Sequence, residues 1–368
     1  MDGDSVKLKR ILFISYSDVR YDGRMRELRK VAERLGKVYS ISEYDTEENV
    51  NYFSLNKINK KGILAFTCLA LRVGEKIKNI DILFVDNRMS CITGLFLCKI
   101  FKEVKVIQDI RELYLFSERK SLKSKLGCII EQNMIKKADI IISANKYRSK
   151  FMKNYYHLRN EPLVFENVRR LEYSDKDSIS DYEIKYTEII KKDRIRVIST
   201  SGCDVKRTND LLVKSMNKVG NKIDLLIIGG SNKKDKEYIN YIIKKNNLKN
   251  VFILDKVPEG ELKYLISKCH IGIVNYGQYD INNKLCASGK IFEFLYEGIP
   301  VVTTDNMPLK NFCNSYGVGF SGNNYEKGIM HVIENYAWYK NNIEMFFRNY
   351  SDIENVEMLV DEIKKRLV

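Results

Sequence analysis

The sequence predicts an α/β protein made of two tandem Rossmann-like domains with a cleft between them. Three observations carry this. Short runs rich in Ile and Val alternate with longer amphipathic stretches. The short runs are apolar on consecutive residues, as parallel strands covered on both faces require. The alternation stops over a charged stretch near the middle of the chain and then restarts. At 368 residues the chain is long enough for two such units.

In the first half, strands are expected at 11–16, 38–42, 82–85, 104–108, 140–143 and 163–166. Helices are expected at 22–35, 60–78, 90–102, 122–137 and 146–156. The stretch 171–194 is charged and lacks apolar periodicity, so it reads as a linker with room for one helix. Strands then recur at 195–200, 224–228, 251–254, 271–274 and 301–303. Helices are expected at 206–218, 234–246, 259–268, 288–297 and 325–335. The tail, 338–368, is helical in pattern without a strand of its own. The expected organisation is therefore a first domain over 1–170, the linker, a second domain over 195–337, and a helical tail packing back on the first domain. Open α/β sheets bind ligands at the carboxyl ends of their strands. A nucleotide in one half and a second substrate in the other would suit two such sheets.

Composition narrows the function classes. Lys and Arg number 63 against 48 Asp and Glu, an excess of +15 that favours anionic partners. The basic residues are spread along the chain without a recognition motif, so a nucleic-acid binder is not expected. The apolar run at 63–71 is too short to span a bilayer, and no signal peptide is read before the first strand, so a cytoplasmic protein is expected. Eight cysteines lie mostly in apolar runs with no Cys-x2-Cys pair, which points to reduced, buried thiols. Three scattered histidines give no metal-ligand spacing, so no metal site is expected.

The richest segment is Ala287-Ser288-Gly289-Lys290-Ile291-Phe292-Glu293, running through Gly298-Ile299-Pro300-Val301-Val302. It reads as a loop, a short helix, a glycine stop and a buried strand. The small residues Ser288 and Gly289 allow backbone to approach a ligand. Lys290 in the first helical turn suits a bound anion, and Glu293 can accept two ribose hydroxyls. A solvated Lys and Glu on a helix is the plain alternative.

This segment resembles the nucleotide-sugar motif of retaining GT-B glycosyltransferases of the family-4 type. There a Glu stands five residues before a Gly, ahead of a small-Pro-Val-Val strand. Glu293, Gly298, Pro300, Val301 and Val302 match. Glu293 would be the second Glu of the family's Glu-x7-Glu motif. Leu285 stands where the first would be, which departs from the pattern at the residue facing the donor sugar.

The resemblance implies further site residues. Gly202-Cys203-Asp204-Val205-Lys206-Arg207 is similar to the family's glycine and basic-pair loop, so Lys206 and Arg207 would hold the donor diphosphate, with Cys203 in place of an Arg. Fixed cations there stabilise the charge that grows on a departing diphosphate. Gly229 ends a buried strand beside Gly230, and Val257 lies in the loop bordering the nucleobase. In the first domain, Asp22-Gly23-Arg24 resembles the loop near the donor phosphate and the acceptor, which assigns Gly23 to the donor and Arg24 to the acceptor side. Gln108-Asp109-Ile110-Arg111-Glu112 places Arg111 where the family often has a His, flanked by Asp109 and Glu112 on the acceptor side. Arg111 stays protonated, so it is a charge stabiliser and not a base; a surface pair with Asp109 or Glu112 is the alternative. Lys136-Lys137-Ala138-Asp139 resembles the family's start of a strand and bears on fold alone. Asp175-Lys176-Asp177 has no strand before it and reads as a solvated loop.

The resemblance implies a hexosyltransferase that moves sugar from a UDP- or GDP-sugar, with retention and without a metal or other cofactor, to a glycan or polyprenyl-diphosphate-linked acceptor in polysaccharide assembly. A double-Rossmann protein that binds nucleotide or sugar without transfer is the alternative, kept open by Leu285 and Arg111. An anionic membrane surface is a further expected partner. Arg24, Arg26, Arg29, Lys30 and Arg34 crowd one helix, and Lys60, Lys61 and Arg72 flank the apolar run at 63–71, which otherwise reads as a core helix.

Overall fold

The computed structural model describes residues 8–190 and 193–367. The opening residues 1–7, and 191–192 of the expected linker, lie outside the described residues. The chain folds into two compact units. One holds the described chain up to Asn167 together with the stretch from Ser351 onward; the other is Val168–Tyr350.

The first unit runs β1 (Arg10–Asp18), α1 (Gly23–Leu35), β2 (Lys37–Tyr44), β3 (Tyr52–Ser54), α2 (Ile63–Ile77), β4 (Ile82–Asp86) and α3 (Cys91–Ile100). It continues with β5 (Lys105–Ile110), α4 (Leu122–Ile135), β6 (Ile140–Ser143), α5 (Lys146–Tyr155) and β7 (Leu163–Val164). The sheet has seven strands in the order β3-β2-β1-β4-β5-β6-β7, and all its pairings are parallel. Alternation within β1 splits the core. Ile11 and Phe13 face α1, while Leu12 and Ile14 face the layer made by α2, α3 and α4.

The second unit opens with α6 (Ile179–Lys185), β8 (Ile195–Ser199), α7 (Asn209–Ser215), β9 (Ile223–Ile228), α8 (Lys233–Lys245) and β10 (Val251–Leu254). Then follow α9 (Glu259–Ser267), β11 (Ile271–Val274), α10 (Ile281–Lys284), α11 (Lys290–Tyr296) and β12 (Val301–Thr303). It closes with α12 (Met307–Tyr316), β13 (Gly319–Ser321), α13 (Tyr325–Glu334) and α14 (Tyr336–Arg348). Its six parallel strands are ordered β10-β9-β8-β11-β12-β13. In each unit the strand order reverses beside the first strand of its sheet, β1 or β8, which is where doubly wound sheets open a crevice for a ligand. Gly272 lets α11 close onto β11, because a Cβ there would lie 2.3 Å from the Phe294 ring.

The boundaries differ from the sequence expectation in three places. The stretch 171–194 is not a free linker. Leu171 and Tyr186 are buried in the second unit's core, and Glu261 of α9 accepts from Lys185 and from the Tyr186 hydroxyl. Asp177 accepts from Ser174 and Tyr182 and sits where a side chain at Gly260 would otherwise go. The tail is two helices with different homes. α14 buries Tyr339, Ile343 and Phe346 in the second unit, and only α15 (Asp352–Leu367) joins the first, where Leu359, Val360 and Ile363 pack with α1 residues. The helix expected from Lys206 is a single tight turn over Val205–Arg207; Thr208, with φ of 61°, breaks it before α7 begins.

The basic face expected on α1 is reduced: Arg26, Lys30 and Arg34 stay exposed, and the other two basic residues turn inward. Arg24 and Arg29 are buried, Arg29 against Asp45 at 2.7 Å and against Glu47. Arg34 reaches Glu357 at 2.5 Å and Lys30 reaches Glu27 at 2.8 Å. The run 63–71 is half core: Phe66 and Ala70 are buried against the sheet, while Leu64 points outward. Of the eight cysteines, all unbridged, six are buried, and Cys68 is exposed. Among the described residues, no helix is long and apolar enough to cross a membrane.

One buried acid stands out on α4. Burial pushes the Glu131 carboxyl up to about 8, with Arg88 pulling against it and Glu112 adding to it. The unfolded group titrates near 4.5. Between those values the folded chain holds a proton that the unfolded chain lacks, so stability falls as pH rises through the window. Glu131→Gln cannot ionise. Its melting temperature is expected to exceed the wild type's above the window and to converge with it below, a comparison made by thermal denaturation across pH. Parallel curves at all pH values would show that Glu131 is ionised in the fold.

Candidate functional site

Two clusters of charge sit at the carboxyl ends of the strands, one in each unit. They differ in how they balance.

In the first unit, Asp22 caps α1 by accepting from Met25 N at 3.0 Å, with the half-buried Gly23 opening the helix. Arg24, next in the helix, turns inward. Its Nε and Nη2 donate to both oxygens of Asp109 at 2.9 and 2.6 Å, and its Nη1 donates to the Phe165 carbonyl at 2.8 Å. Both members of the pair are buried. Arg111, one residue past β5, donates from Nε to Asp86 Oδ1 at 2.8 Å and from Nη2 to Asp86 Oδ2. Its Nη1 donates to Asp22 at 2.5 Å, and Asp109 lies 3.6 Å from Nε. Ser15 adds a hydroxyl bond to Asp86 at 2.6 Å. Burial pushes Asp86 up, against the pull of Arg111, while the carboxylates around Arg111 outweigh its own burial and hold it protonated. Two guanidiniums thus face three carboxylates. Glu112 points to solvent and accepts from the Tyr114 hydroxyl. This cluster is neutralised internally and offers little free positive charge to a phosphate.

The second unit is the reverse. Lys290 opens α11, and its amino group is held by the Thr200 carbonyl at 2.7 Å and the Thr200 hydroxyl at 2.9 Å. Thr200 ends β8. No carboxylate lies within ion-pair distance of Lys290 among the described residues. Burial depresses the Lys290 pKa; Glu293 pulls it back up, and Arg207 and Arg169 push it further down. Arg207 is likewise without an ion pair among the described residues. It donates to the Asn275 carbonyl at 3.4 Å and lies 4.1 Å from the Tyr276 ring centre. Burial works against its charge, and Tyr276 and Asp204 outweigh that. Lys206, paired with Arg207 in the sequence expectation, points to solvent.

Glu293, one turn into α11, is almost fully buried. Its Oε1 meets Arg169 Nη1 at 3.0 Å, while Oε2 is buried with no hydrogen-bond partner. The Ser288 hydroxyl, just before the helix, is also buried without a partner. Buried acceptors left open are costly unless something completes them. Gly289 precedes α11, and its carbonyl accepts from Phe292 and Glu293 N at 3.1 and 3.2 Å.

The loops around these groups are built for close approach. Gly202 has φ of 63°, and a Cβ there would lie 2.4 Å from the Gly230 carbonyl oxygen. Gly229 N donates to the Leu254 carbonyl at 3.2 Å, and a Cβ on Gly229 would lie 3.0 Å from Gly202 N. Val257 is half-buried against the second unit's core. Leu285, where the resemblance would put an acid, is buried.

Several residues of this site escape a reading of the sequence. Asn209 is fully buried and ties the Gly202 loop together, donating to Ser201 Oγ and the Gly202 carbonyl at 2.9 Å and the Asp204 carbonyl at 3.2 Å. Asn275 donates to Asn209 Oδ1 at 3.0 Å and accepts from Ser201 at 3.0 Å. Thr200, Ser201 and Asn275 each stand just past a strand's carboxyl end, which was the available signal. Arg169 carries no local signal, because its partner Glu293 is far away in sequence.

No protein-family model matches this chain. A curated relative, an uncharacterized glycosyltransferase of Methanocaldococcus jannaschii, is 26% identical over 234 residues, 60% of this chain and 53% of the relative. The chain therefore matches about half the length of that relative. Among solved structures, sucrose-phosphate synthase of Thermosynechococcus elongatus superposes with a TM-score of 0.70 over 98% of this chain and 99% of its own, at 15% identity. HepE of Anabaena, in complex with UDP, gives 0.67 over 97% and 100%, at 13% identity. WaaG, a glycosyltransferase of lipopolysaccharide biosynthesis, gives 0.63 over 96% and 99%, at 11% identity. The fold is GT-B. At these identities the likeness speaks for the fold alone, and the chemistry rests on this chain's own side chains.

The internal balance of the first cluster has a measurable consequence. Removing one partner of a buried ion pair leaves the other uncompensated, at about 3–5 kcal/mol. Arg24→Leu is therefore expected to lose about that much in urea denaturation, and Arg24→Leu with Asp109→Leu to recover most of it. A single variant as stable as the wild type would show that the pair is not buried.

Proposed function

We propose that the chain is a glycosyltransferase whose second unit binds a nucleotide-sugar donor, UDP- or GDP-linked. The observation that carries this reading is the pair of cations, Lys290 and Arg207, that face no carboxylate of their own beside a buried carboxylate with an open oxygen. A nucleoside diphosphate complements that arrangement. Its diphosphate takes the two cations, and its ribose hydroxyls complete Glu293 Oε2. The solved neighbour HepE carries UDP, and the curated relative bears a glycosyltransferase name, which support the same class.

In the proposed reaction, the bond from the donor's anomeric carbon to the diphosphate oxygen breaks, and the diphosphate keeps the electron pair. An acceptor hydroxyl bonds to that carbon and releases its proton. Lys290 and Arg207 stabilise the charge that accumulates on the leaving group, worth most where water is excluded. Glu293 positions the nucleotide through the ribose. Lys206 adds only a solvent-exposed charge. Retention of anomeric configuration, a hexose donor and a glycan or polyprenyl-diphosphate-linked acceptor in polysaccharide assembly complete the proposal. They rest on the resemblance of residues 293–302 and their companion loops. No cofactor beyond the donor itself is assigned.

A second reading has its own support: a protein that binds the nucleotide or nucleotide-sugar without transferring the sugar. Leu285 supplies no acid at the sugar, and Arg111 is engaged by carboxylates. Turnover of UDP- and GDP-sugars with a panel of acceptors, with release of free nucleoside diphosphate followed, separates the two. Intact nucleotide binding with no turnover under any pairing supports the second.

Titration calorimetry tests the donor site itself. Arg207→Ala and Lys290→Ala are each expected to weaken UDP binding about 10–100-fold, from the loss of a charged hydrogen bond, and to change uridine binding little. Lys206→Ala is expected to fall within about threefold of wild type, as exposed charges contribute little. Glu293→Gln is expected to weaken UDP and uridine alike. The Lys290 pKa is depressed in the empty site, and a bound dianion raises it. UDP binding should therefore take up protons near that pKa and weaken as pH rises through it, and Lys290→Met should abolish the uptake. Equal losses for UDP and uridine in the cation variants would contradict the diphosphate assignment.

A further inference from the structure

The donor reading leaves the outer helices of the second unit unused. α12 joins β12 to β13, which pair in parallel. It therefore starts at the carboxyl edge of the sheet and ends at the amino edge, opposite Thr200 and Lys290. Its last residues, Ser315 and Tyr316, form one wall of a crevice of about 230 Å³. The facing wall is made by Asn342 and Met345 of α14 and by Asn349 just beyond it.

The lining is neutral, part aromatic and part amide. No Lys, Arg, Asp or Glu lines the crevice. Lys340, Glu344 and Arg348 of α14 recur every four residues on a separate stripe of the helix. The Tyr316 ring centre lies 4.8 Å from those of Phe312 and Phe346, which fix it, yet Tyr316 is 49% exposed. A held aromatic surface thus stands open to solvent. Asn342 donates to the Gly317 carbonyl at 3.0 Å and Asn349 to the Met345 carbonyl at 3.2 Å. The Oδ1 of each accepts from nothing among the described residues. Trp338, one turn before Asn342, adjoins the crevice at the end of α12. A Cβ on Gly317 would lie 2.6 Å from Asn342 Nδ2 and 2.9 Å from the Trp338 ring.

We propose that this crevice binds a neutral oligosaccharide, with a pyranose ring against Tyr316 and its hydroxyls on the amides of Asn342 and Asn349. The chemistry of the lining decides the ligand class. A sugar ring presents C–H groups on its face and hydroxyls around its rim. An aromatic face takes the first, and an amide, which both donates and accepts, takes the second. A nucleic acid needs cations for its phosphates, and a helical peptide needs a continuous apolar groove. The crevice has neither among its lining residues. At about 230 Å³ it is smaller than the roughly 300–1,000 Å³ pockets that enclose a drug-sized ligand, so it grips one ring and leaves the rest of the sugar chain in solvent. Its use as a hold on an acceptor glycan rests on the proposed transfer; the binding itself does not.

The experiment is titration of the full chain with maltohexaose, cellohexaose and mannohexaose, read by calorimetry and by the fluorescence of Trp338, the chain's single tryptophan. Saturable binding of at least one, with a matching change at Trp338, is expected, and UDP is expected not to displace it. Tyr316→Ala should weaken that binding about tenfold, from the loss of the aromatic surface. Asn349→Ala should weaken it about threefold to tenfold, from the loss of one hydrogen-bonding group. Both positions are exposed, and thermal denaturation of the same variants reports whether they fold. No saturable binding of any of the three at millimolar concentration overturns the proposal. So does binding that UDP displaces, that leaves Trp338 unchanged, or that is indifferent to both substitutions. A concentration-dependent dimer in light scattering that Tyr316→Ala dissolves overturns it too, since the crevice would then serve a second copy of the chain. Oligosaccharide binding is read without nucleotide, so its failure leaves the donor-site reading standing, and failed UDP binding leaves the oligosaccharide result standing.

Discussion

The half-buried charge of Lys290, which has no ion-pair partner among the described residues, is the constraint around which the second unit's site is arranged. An ammonium taken out of water without a counterion costs several kcal/mol, so folds rarely keep one. Here two oxygens of Thr200 partly replace its hydration, and its own pKa is depressed by burial and by two neighbouring guanidiniums. Arg207, held by a carbonyl and an aromatic face, adds a second charge of the same kind. Glu293 is close enough to support Lys290 but is paired with Arg169. The arrangement is strained in the electrostatic sense, and a dianion would relieve it. The asparagine network of Asn209 and Asn275 matters because it fixes the loop that places Arg207, and Gly202 matters because only glycine lets that loop close against Gly230.

The first unit shows what the same residue types do when they are balanced. Arg24 and Arg111 also stand at strand ends and helix starts, but three aspartates meet them. Sequence position alone would make all these cations equal candidates for phosphate. Their partners divide them, with structural pairing in the first unit and open charge in the second. The proposed reading therefore assigns the donor's diphosphate to Lys290 and Arg207, whereas Arg111 is engaged by Asp86 and Asp22.

Much of the fold was legible because parallel strands buried on both faces leave a strong mark. The unbroken apolar runs at 11–14, 140–142 and 225–228 suit a strand covered on both sides and have no polar face for a surface helix. Among the elements that escaped, β3 and β13 have three residues each, where no period can establish itself, and the ten-residue α12 opens on Met307-Pro308 and buries only Leu309 and Cys313. The linker was misread because Leu171 and Tyr186 bury singly amid charges. Glu293, Lys290 and Arg207 were legible from local pattern, since each lies in a loop-to-helix segment of recognisable form. Their partners were not, because Thr200 lies 90 residues from Lys290 and the Arg169–Glu293 contact spans a still longer stretch of chain. Arg29 was misread although a signal existed. It falls four residues after Met25 and three before Ala32, in the buried stripe of α1, where an arginine needs the buried Asp45.

The most direct measurement is a crystal structure of the chain with UDP. Diphosphate oxygens are expected within hydrogen-bond distance of Lys290 Nζ and the Arg207 guanidinium, with a ribose hydroxyl on Glu293 Oε2. A nucleotide seated on the Arg111 cluster of the first unit, or anywhere that leaves Lys290 bonded to Thr200 alone and Glu293 Oε2 still open, would contradict the assignment of the donor site to the second unit.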